Sequence, residues 1–264
     1  MKRIILIVIA LVCAVMMIVG GFNALRIMLS YRESRGIYEE LEQHLTFTPA
    51  GDDQTSEEQE AFFGEEYFIL PDHIVLPEVD FDALREINPN VVAWIILEGT
   101  PINYPVVQGA DNDFYLHHLF DGRRNPSGAI FVDSYNSPGF TDFHTIIYGH
   151  HMRDGSMFAA IENYRNEGFF EEHPWVFLLT PERNYVIKLS TGHLADPSTM
   201  HTWEIVFEDD MEKSVWIEER QSKSDFDSGV EILPSHRIVT LSTCSNAFFD
   251  ARYVISGRLM PIRQ

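Results

Sequence analysis

Cys244 is the residue of this chain whose type and position most clearly favour chemistry. It ends the run Ile-Val-Thr-Leu-Ser-Thr-Cys (238–244), and this β-branched sequence predicts a strand that delivers a thiol to the rim of a sheet. The other cysteine, Cys13, lies in an N-terminal apolar segment and cannot reach Cys244 if that segment spans a membrane. An unpaired thiol in an exported protein is a candidate nucleophile. A buried structural cysteine is the alternative, because free cysteines are often buried.

A nucleophilic cysteine reacts as the thiolate and needs a basic or positively charged neighbour. Two histidines, His150 and His151, follow the strand-like run 145–149, which places an imidazole at a sheet rim as well. The pattern alone leaves either one open as the partner of the thiol. Adjacent residues of an extended segment point to opposite faces, so the pair is poorly placed to share a metal ion. With no Cys-x-x-Cys or His-Glu-x-x-His motif, the sequence predicts neither a metal site nor a cofactor.

An arginine is also expected beside the thiol. If residues 245–251 connect two antiparallel strands, Arg252 returns opposite the end of the first strand, next to Cys244. Arg258 lies six residues further on, roughly 20 Å away at the rise of a strand, so Arg252 is the better candidate. Its planar, fixed charge could stabilise an oxyanion or orient a carbonyl group. A surface arginine paired with a nearby carboxylate is the alternative.

The N-terminus predicts a membrane segment that positions the rest of the chain. Ile4–Phe22 contains 19 residues without a charge, which as a helix reach about 28 Å, close to one hydrocarbon core. We expect a retained anchor at 4–22 behind a short cytoplasmic tail at 1–3, with a cleaved signal peptide as the alternative. Basic residues on both sides leave the orientation open by charge counting. The large domain that follows favours export, which predicts a single-pass protein with its catalytic domain outside the cell.

The charge of the chain excludes several classes of partner. Residues 1–35 carry five Lys or Arg and one acidic residue, whereas the remainder carries 39 of the 40 acidic residues. A domain this acidic is not expected to bind nucleic acid or anionic lipid through its general electrostatic field. Its contact with the membrane should come from the N-terminal helix alone.

The remaining sequence predicts a helical stalk and acidic linker at 23–66 and a mostly β domain at 67–264. Residues 26–45 have helical spacing, and 51–66 carry seven acidic residues with no Lys or Arg. Few helices are expected in the domain, at about 81–87, 156–165 and 211–223. So many strands with so few helices favour a β-barrel or a sandwich. The predicted strands are 91–97, 102–107, 129–132, 145–148, 175–179, 185–190, 203–207, 237–243 and 253–259.

Several motifs together resemble those of one enzyme family. Thr240-Leu-Ser-Thr-Cys244, followed by Arg252 in Ala-Arg-Tyr-Val-Ile, resembles the active-site motif of sortases, the cell-wall transpeptidases of Gram-positive bacteria. The segment Ile147-Tyr-Gly-His-His-Met-Arg-Asp-Gly-Ser-Met-Phe158 resembles the class B branch in particular. Further similarity occurs, in the order of the family, at 94–95, 104–108, 111–118 and 128–133.

The resemblance implies a closed eight-stranded barrel with an N-terminal helical extension and a helix inserted between strands 6 and 7, where 211–223 fits. The catalytic histidine of the family directly follows the glycine, which implies His150 and leaves the role of His151 open. Cys244 would be the nucleophile and Arg252 the residue that positions the substrate or stabilises the oxyanion. Positions that line the sorting-signal groove in class B enzymes correspond to Asn112, Leu116 and Ser242.

The implied reaction joins two partners through a thioacyl enzyme. Cys244 attacks the Thr carbonyl of a sorting signal near the C-terminus of a surface protein, and His150 protonates the leaving amine. The acceptor would be the amine of a peptidoglycan precursor, similar to lipid II, or a pilin lysine. Alternatives are a pilin-polymerising sortase and a cysteine peptidase that releases the acyl group to water. A binding module without catalysis is disfavoured because the cysteine, histidine and arginine are all present.

Overall fold

The computed structural model describes residues 2–47, 66–197, 201–244 and 251–263. The chain forms two compact units, Met1–Glu40 and Leu41–Gln264. The first unit is helical, formed by α1, Lys2–Leu41, and the helical spacing predicted over 26–45 continues this helix to Leu41. A 3₁₀ turn at Glu42–His44 follows. Within the described residues one helical segment, Ile9–His44, is apolar and long enough to cross a membrane, with a mean hydropathy of 1.9. Of the predicted acidic linker, residues 51–65 lie outside the described residues.

Eight strands of the second unit form a closed barrel. The strands are β1 (Val91–Ile96), β2 (Asn103–Gln108), β3 (Ile130–Val132), β4 (His144–Gly149), β5 (Trp175–Leu179), β6 (Asn184–Ala195), β7 (Ile238–Cys244) and β8 (Arg252–Arg263). The order around the barrel is β7-β4-β3-β2-β1-β5-β6-β8 and back to β7. The closure comes from β7, which pairs in parallel with β4 on one side and antiparallel with β8 on the other.

This mixed barrel confirms the fold expected from the resemblance. Two neighbouring pairs are parallel, β2 with β3 and β4 with β7, and the other six pairs are antiparallel. Many strand residues are buried on both faces of the sheet. Trp94 and Ile95 are neighbours that point to opposite faces, and both are 0% exposed. Accordingly, β1, β3 and β5 are continuous apolar runs rather than an alternation of apolar and polar residues.

Four short helices complete the domain: α2 (Phe81–Ile87), α3 (Phe114–His117), α4 (Phe169–Glu172) and α5 (Asp210–Gln221). The α2 helix occupies the predicted range, and α5 lies between β6 and β7, the sixth and seventh barrel strands, as expected. Asp209 caps the N-terminus of α5, and its side chain accepts a hydrogen bond from the Glu212 N–H at 2.9 Å. The helix predicted at 156–165 is instead a 3₁₀ helix, Ala159–Arg165.

The strand predicted at 203–207 is wrong. A 3₁₀ turn, His201–Trp203, occupies its start, and the following residues form no strand. Phe207 packs edge-on against Phe143 and Trp216, so this apolar segment covers the barrel with side chains and does not extend the sheet. The His201 carbonyl accepts hydrogen bonds from the Trp216 indole and from Arg220. Within 203–207, the Glu204 carbonyl bonds the His144 ring and not a neighbouring strand, a long-range contact that β-branched composition alone could not show.

The α5 helix is attached to the barrel through a buried histidine. The ring of His144, on β4, contacts that of Trp216 at 4.6 Å between centroids. Its nitrogens bond the Glu204 carbonyl at 2.6 Å and the Thr240 hydroxyl at 2.7 Å. Burial lowers the pKa of His144 to about 3, so the ring is neutral at physiological pH. This contact links the β6–β7 connection to β4 and β7, the two strands that carry the predicted site.

Candidate active site

The strand register brings the three predicted catalytic positions into one row. Cys244, the last residue of β7, is opposite Arg252, the first residue of β8. On the other side of β7, Thr243 is opposite Gly149. His150 follows Gly149, so one further step in the parallel register brings it level with Cys244. Paired residues of neighbouring strands face the same side of a sheet, and the backbone alone therefore places positions 150, 244 and 252 at one edge.

The imidazole of His150 is held in a definite position. Its Nε2 lies 2.7 Å from the Leu116 carbonyl oxygen, at the end of α3. Burial is the largest cause that lowers the pKa of His150, and the positive charges of His117 and Arg252 act in the same direction. The hydrogen bond to Leu116 opposes this by raising the pKa. Because the net shift is downward, the ring stays neutral to a lower pH than a solvent-exposed histidine.

His151 faces a different part of the molecule. Its Nε2 lies 3.0 Å from a carboxylate oxygen of Glu162, which also pairs with Arg165 at 3.1 Å. It also forms an isolated β-bridge with Met157, which closes the loop that follows β4. The two adjacent histidines therefore have separate surroundings, and the His151 ring contacts the Glu162 carboxylate. Within the described residues, no group of three or more His, Cys, Asp or Glu side chains is arranged to hold a metal ion.

Packing explains why a glycine precedes His150. A Cβ at Gly149 would lie 2.6 Å from both Ile130 and the Phe158 ring, closer than such atoms approach. The Phe158 N–H bonds the His150 carbonyl at 2.9 Å, which returns the loop onto the end of β4. The sequence identified the Gly-His pair, but not the aromatic ring that makes the glycine necessary.

Arg252 and Arg258 lie on the same strand in different surroundings. Arg252 is half-buried and is paired across the sheet with Cys244 on one side and Ala195 on the other. Burial lowers the pKa of His150, and the charge of Arg252 adds to that shift. Burial raises the pKa of Tyr148, and the charge of Arg252 opposes that shift, so the guanidinium lies near both side chains. Arg258 instead pairs with Glu66 at 2.8 Å. The structure thus brings Arg252 to the row of the thiol and Arg258 to a separate ion pair.

A hydrogen-bonded group that includes predicted Asn112 borders this row. The Asn112 amide donates to Asp133 at 3.0 Å and its oxygen accepts from the Ser134 N–H at 2.8 Å. The same Asp133 oxygen accepts the Tyr148 hydroxyl at 2.9 Å. Sequence reasoning missed Asp133 and Tyr148. The alternation of side chains along β4 could have indicated the tyrosine, because residues 148 and 150 lie on the same side of the sheet.

The other two predicted groove residues contribute different groups to the site, Ser242 its side chain and Leu116 its backbone carbonyl. Ser242 is level with Tyr148 on β4 and faces the same side as Cys244. It is 1% exposed, and its hydroxyl has no hydrogen-bond partner among the described residues. Leu116 is half-buried and contributes its backbone carbonyl to His150. The structure therefore gathers Asn112, Leu116 and Ser242 around the row of predicted catalytic positions.

Comparison with known proteins agrees with this arrangement. The family model of the sortase domain matches residues 95–260. Sortase B of Staphylococcus aureus (strain NCTC 8325 / PS 47) is 29% identical over 264 residues, which cover 99% of each chain. Sortase B of Listeria monocytogenes is 33% identical over 179 residues, 67% of this chain and 72% of the relative.

Solved structures show the same similarity. Clostridium perfringens sortase B superposes with a TM-score of 0.65 at 36% identity, over 68% of this chain and 99% of that one. A Staphylococcus aureus sortase B–substrate complex superposes with a TM-score of 0.66 at 31% identity, over 69% of this chain and 85% of that one. Sortase B from B. anthracis superposes with a TM-score of 0.71 at 29% identity, over 89% of this chain and 100% of that one.

The fold and the family match together define a cysteine transpeptidase, and the chain belongs to the sortase family. Within that family it is a class B sortase, because its relatives and structural neighbours are sortase B proteins and α5 is inserted between the sixth and seventh strands. Sortases act on sorting-signal substrates and on amine acceptors.

Removing the Asp133 carboxylate should destabilise the fold. In the Asp133→Ala variant, the Tyr148 hydroxyl, the Asn112 amide and the Tyr135 N–H each lose an acceptor. Since an unsatisfied buried donor costs roughly 1–3 kcal/mol, we expect the free energy of unfolding to fall by about 3 kcal/mol in urea titrations. The control is Asp82→Ala, because the Asp82 side chain is 96% exposed. This change should alter the free energy of unfolding by less than about 0.5 kcal/mol. Equal effects of the two changes would contradict the structural role of Asp133.

Proposed function

We propose that this chain is a membrane-anchored transpeptidase that cleaves a C-terminal sorting signal and transfers the acyl group to an amine of a cell-wall precursor. The observation that supports it best is the row formed by positions 150, 244 and 252 at one edge of the barrel. That row contains a thiol, an imidazole and a guanidinium. These are the groups that an acyl transfer through a thioester requires.

In the first half-reaction, the Cys244 thiolate attacks the carbonyl carbon of the Thr residue in the sorting signal. The oxygen of the tetrahedral intermediate becomes negatively charged, and the Arg252 guanidinium stabilises that charge. The C–N bond then breaks, the leaving amine takes a proton from the His150 imidazolium, and a thioester remains on Cys244. Each step uses a group that the barrel holds at the same edge.

In the second half-reaction, the acceptor amine attacks the thioester carbonyl. Neutral His150 accepts a proton from that amine, the new amide bond forms, and the Cys244 thiolate leaves. Burial lowers the pKa of His150, so the imidazolium of the first half-reaction is the less populated form at neutral pH. The neutral form that the second half-reaction needs is correspondingly favoured.

The sorting signal is proposed to lie against Asn112, Leu116 and Ser242. Asp133 supports this surface, because its carboxylate accepts a hydrogen bond from the Asn112 amide and another from the Tyr148 hydroxyl. The Ser134 N–H donates to the oxygen of the same Asn112 side chain. Ser242 presents a hydroxyl without a partner among the described residues, two positions before the nucleophile on the same face. A structural neighbour of this chain is a sortase B in complex with its substrate, which supports peptide binding by this fold.

The transfer reaction can be separated from hydrolysis by an amine competition assay. The purified protein is incubated with peptides of the sorting signals encoded beside its gene and with increasing amounts of a peptidoglycan-precursor amine. We expect the amide product to increase at the expense of the hydrolysed acid, because both come from one thioester. Mass spectrometry of the products measures the partition. A constant yield of acid at every amine concentration would indicate a peptidase, and preference for a pilin lysine would indicate a pilin polymerase.

The two cysteines supply the matched variants for this assay. Cys244→Ala should abolish both products and the thioester adduct, whereas Cys13→Ala should retain them, because Cys13 lies in α1 and not in the barrel. Unchanged processing by Cys244→Ala would overturn the proposed function.

Arg252 and Arg258 provide a second test on one strand. Arg252→Ala should lower kcat by roughly 10²–10³-fold, the usual cost of losing a group that stabilises an oxyanion. Arg252→Lys should restore little of the lost kcat, since a lysine lacks the planar guanidinium of arginine. Arg258→Ala removes only the pair with Glu66 and should leave the kinetics close to those of the parent. Steady-state rates with a fluorogenic signal peptide give kcat for each variant. An equal loss of kcat in Arg252→Ala and Arg258→Ala would contradict the role of Arg252.

The location outside the cell is proposed from α1. Its uncharged segment, Ile4–Phe22, has the length of a membrane span and precedes a large acidic domain. A retained, single-pass anchor would hold the barrel on the outer side of the cell membrane, where surface proteins and cell-wall precursors meet.

Labelling of intact cells with a membrane-impermeant maleimide tests this location. We expect the parent and Cys13→Ala to be labelled and Cys244→Ala to remain unlabelled, because Cys13 would lie in the hydrocarbon core and Cys244 outside. Labelling is measured by a mass shift on a gel. Modification of Cys244 only after cell lysis would place the barrel on the cytoplasmic side.

A further inference from the structure

The last carbonyl groups of α3 are individually hydrogen-bonded, and one of them holds His150. The end of a helix leaves carbonyl oxygens without partners inside the helix. The Tyr115 oxygen accepts from the Ala129 N–H, and the His117 oxygen accepts from the Asn125 N–H, both at 2.9 Å. Leu116 lies between them, and its oxygen accepts from His150 Nε2 at 2.7 Å. The loop 125–129 thus fixes the two neighbouring carbonyls and leaves the central one to the imidazole.

This hydrogen bond decides which nitrogen of His150 carries the hydrogen. A carbonyl oxygen only accepts, so Nε2 must donate in both the neutral and the charged ring. Nδ1 is then the nitrogen that gains and loses the proton. It has no hydrogen-bond partner among the described residues. No carboxylate of the described residues pairs with His150 either, so the Leu116 carbonyl is the group that orients the ring.

Gly128 allows this approach. Its φ is +58°, a left-handed conformation that favours glycine. A Cβ at this position would lie 2.7 Å from the Tyr115 oxygen, 2.9 Å from the Leu116 oxygen and 3.1 Å from Cδ2 of His150. The same atom would therefore collide with the carbonyl that holds the ring and with the ring itself. The backbone of loop 125–129 forms the wall behind this hydrogen bond.

We propose that Gly128 is a positioning residue that permits the Leu116 carbonyl to hold His150 with hydrogen on Nε2, which makes Nδ1 the atom that exchanges protons with the reacting amines. The inference deepens the proposed function and rests on the catalytic role of His150. It assigns to a backbone carbonyl the task that a carboxylate performs in a Ser-His-Asp triad.

Nitrogen NMR of the full-length, unaltered protein in detergent micelles tests the tautomer directly. The ¹⁵N-labelled histidine signals of His150 are identified by their loss in His150→Gln. Above the pH at which His150 titrates, we expect a protonated Nε2 and an unprotonated Nδ1. The reverse pattern, with hydrogen on Nδ1, would overturn the proposal whatever the behaviour of any variant.

Gly128→Ala tests the positioning role through kinetics. We expect kcat to fall by about tenfold or more with KM little changed, because a displaced base weakens proton transfer and not peptide binding. The His150 signals should then show both tautomers. Gly122→Ala is the matched control: φ is +82° at Gly122, and nothing lies within 4 Å of the added Cβ. It imposes similar backbone strain without the collision, and it should retain the kcat and the single tautomer of the parent.

The outcomes distinguish this inference from the proposed function. If His150→Ala keeps full activity, the proposed function fails and the inference fails with it. If His150→Ala is inactive while Gly128→Ala matches Gly122→Ala in kcat and tautomer, only the positioning role of Gly128 is refuted. If Gly128→Ala does not fold, the tautomer of the unaltered protein still decides whether the Leu116 carbonyl orients His150.

Discussion

The pairing of β7 with β4 and β8 is the constraint on which the rest of the site depends. The barrel closes only if β7 runs parallel to β4 and antiparallel to β8, and each register is set by several consecutive pairs. Once both registers are set, the ends of the three strands lie side by side. A slip of one residue would move Cys244 to the opposite face of the sheet, away from Arg252. The position of the nucleophile is therefore a consequence of how the core packs.

Buried polar contacts on the outer face of the same strands reinforce that register. The Thr240 hydroxyl bonds both His144 on β4 and Ser256 on β8. The same histidine ring contacts Trp216 of α5. These polar groups are buried and cannot bond water, so leaving them unpaired would destabilise the fold. Each hydrogen bond avoids that cost and also connects two strands. The inserted helix thus stabilises the strands that present the site.

The surroundings of the imidazole are built from backbone groups and glycines. Gly149 makes room for Phe158, and Gly128 makes room for the Leu116 carbonyl, so the ring is confined on several sides without an acidic partner among the residues that the structure describes. A carbonyl raises the pKa of the ring without adding a full negative charge, while burial and the charge of Arg252 lower it. A histidine balanced in this way suits the proposed reaction, in which it acts as an acid in one half-reaction and as a base in the other.

The sequence by itself determined the elements and the candidate residues. Strand composition predicted most of the barrel strands, an uncharged run predicted the N-terminal helix, and the motifs around Cys244 and His150 predicted a class B sortase. These features depend on local composition and spacing, which one chain displays directly. Spacing within one hairpin was also sufficient to prefer Arg252 to Arg258, because the antiparallel return is a local geometry.

Only the tertiary structure decided the contacts between segments distant in sequence. It showed that 203–207 covers the barrel instead of joining it, that His151 pairs with Glu162, and that Asp133 and Tyr148 support Asn112. It also placed the Leu116 carbonyl against a ring 34 residues away. Local patterns constrain only neighbours along the chain, whereas these partners meet through closure of the barrel and the loops that cross its edge. The candidate catalytic residues were thus visible in the sequence, and the groups that hold them in place were not.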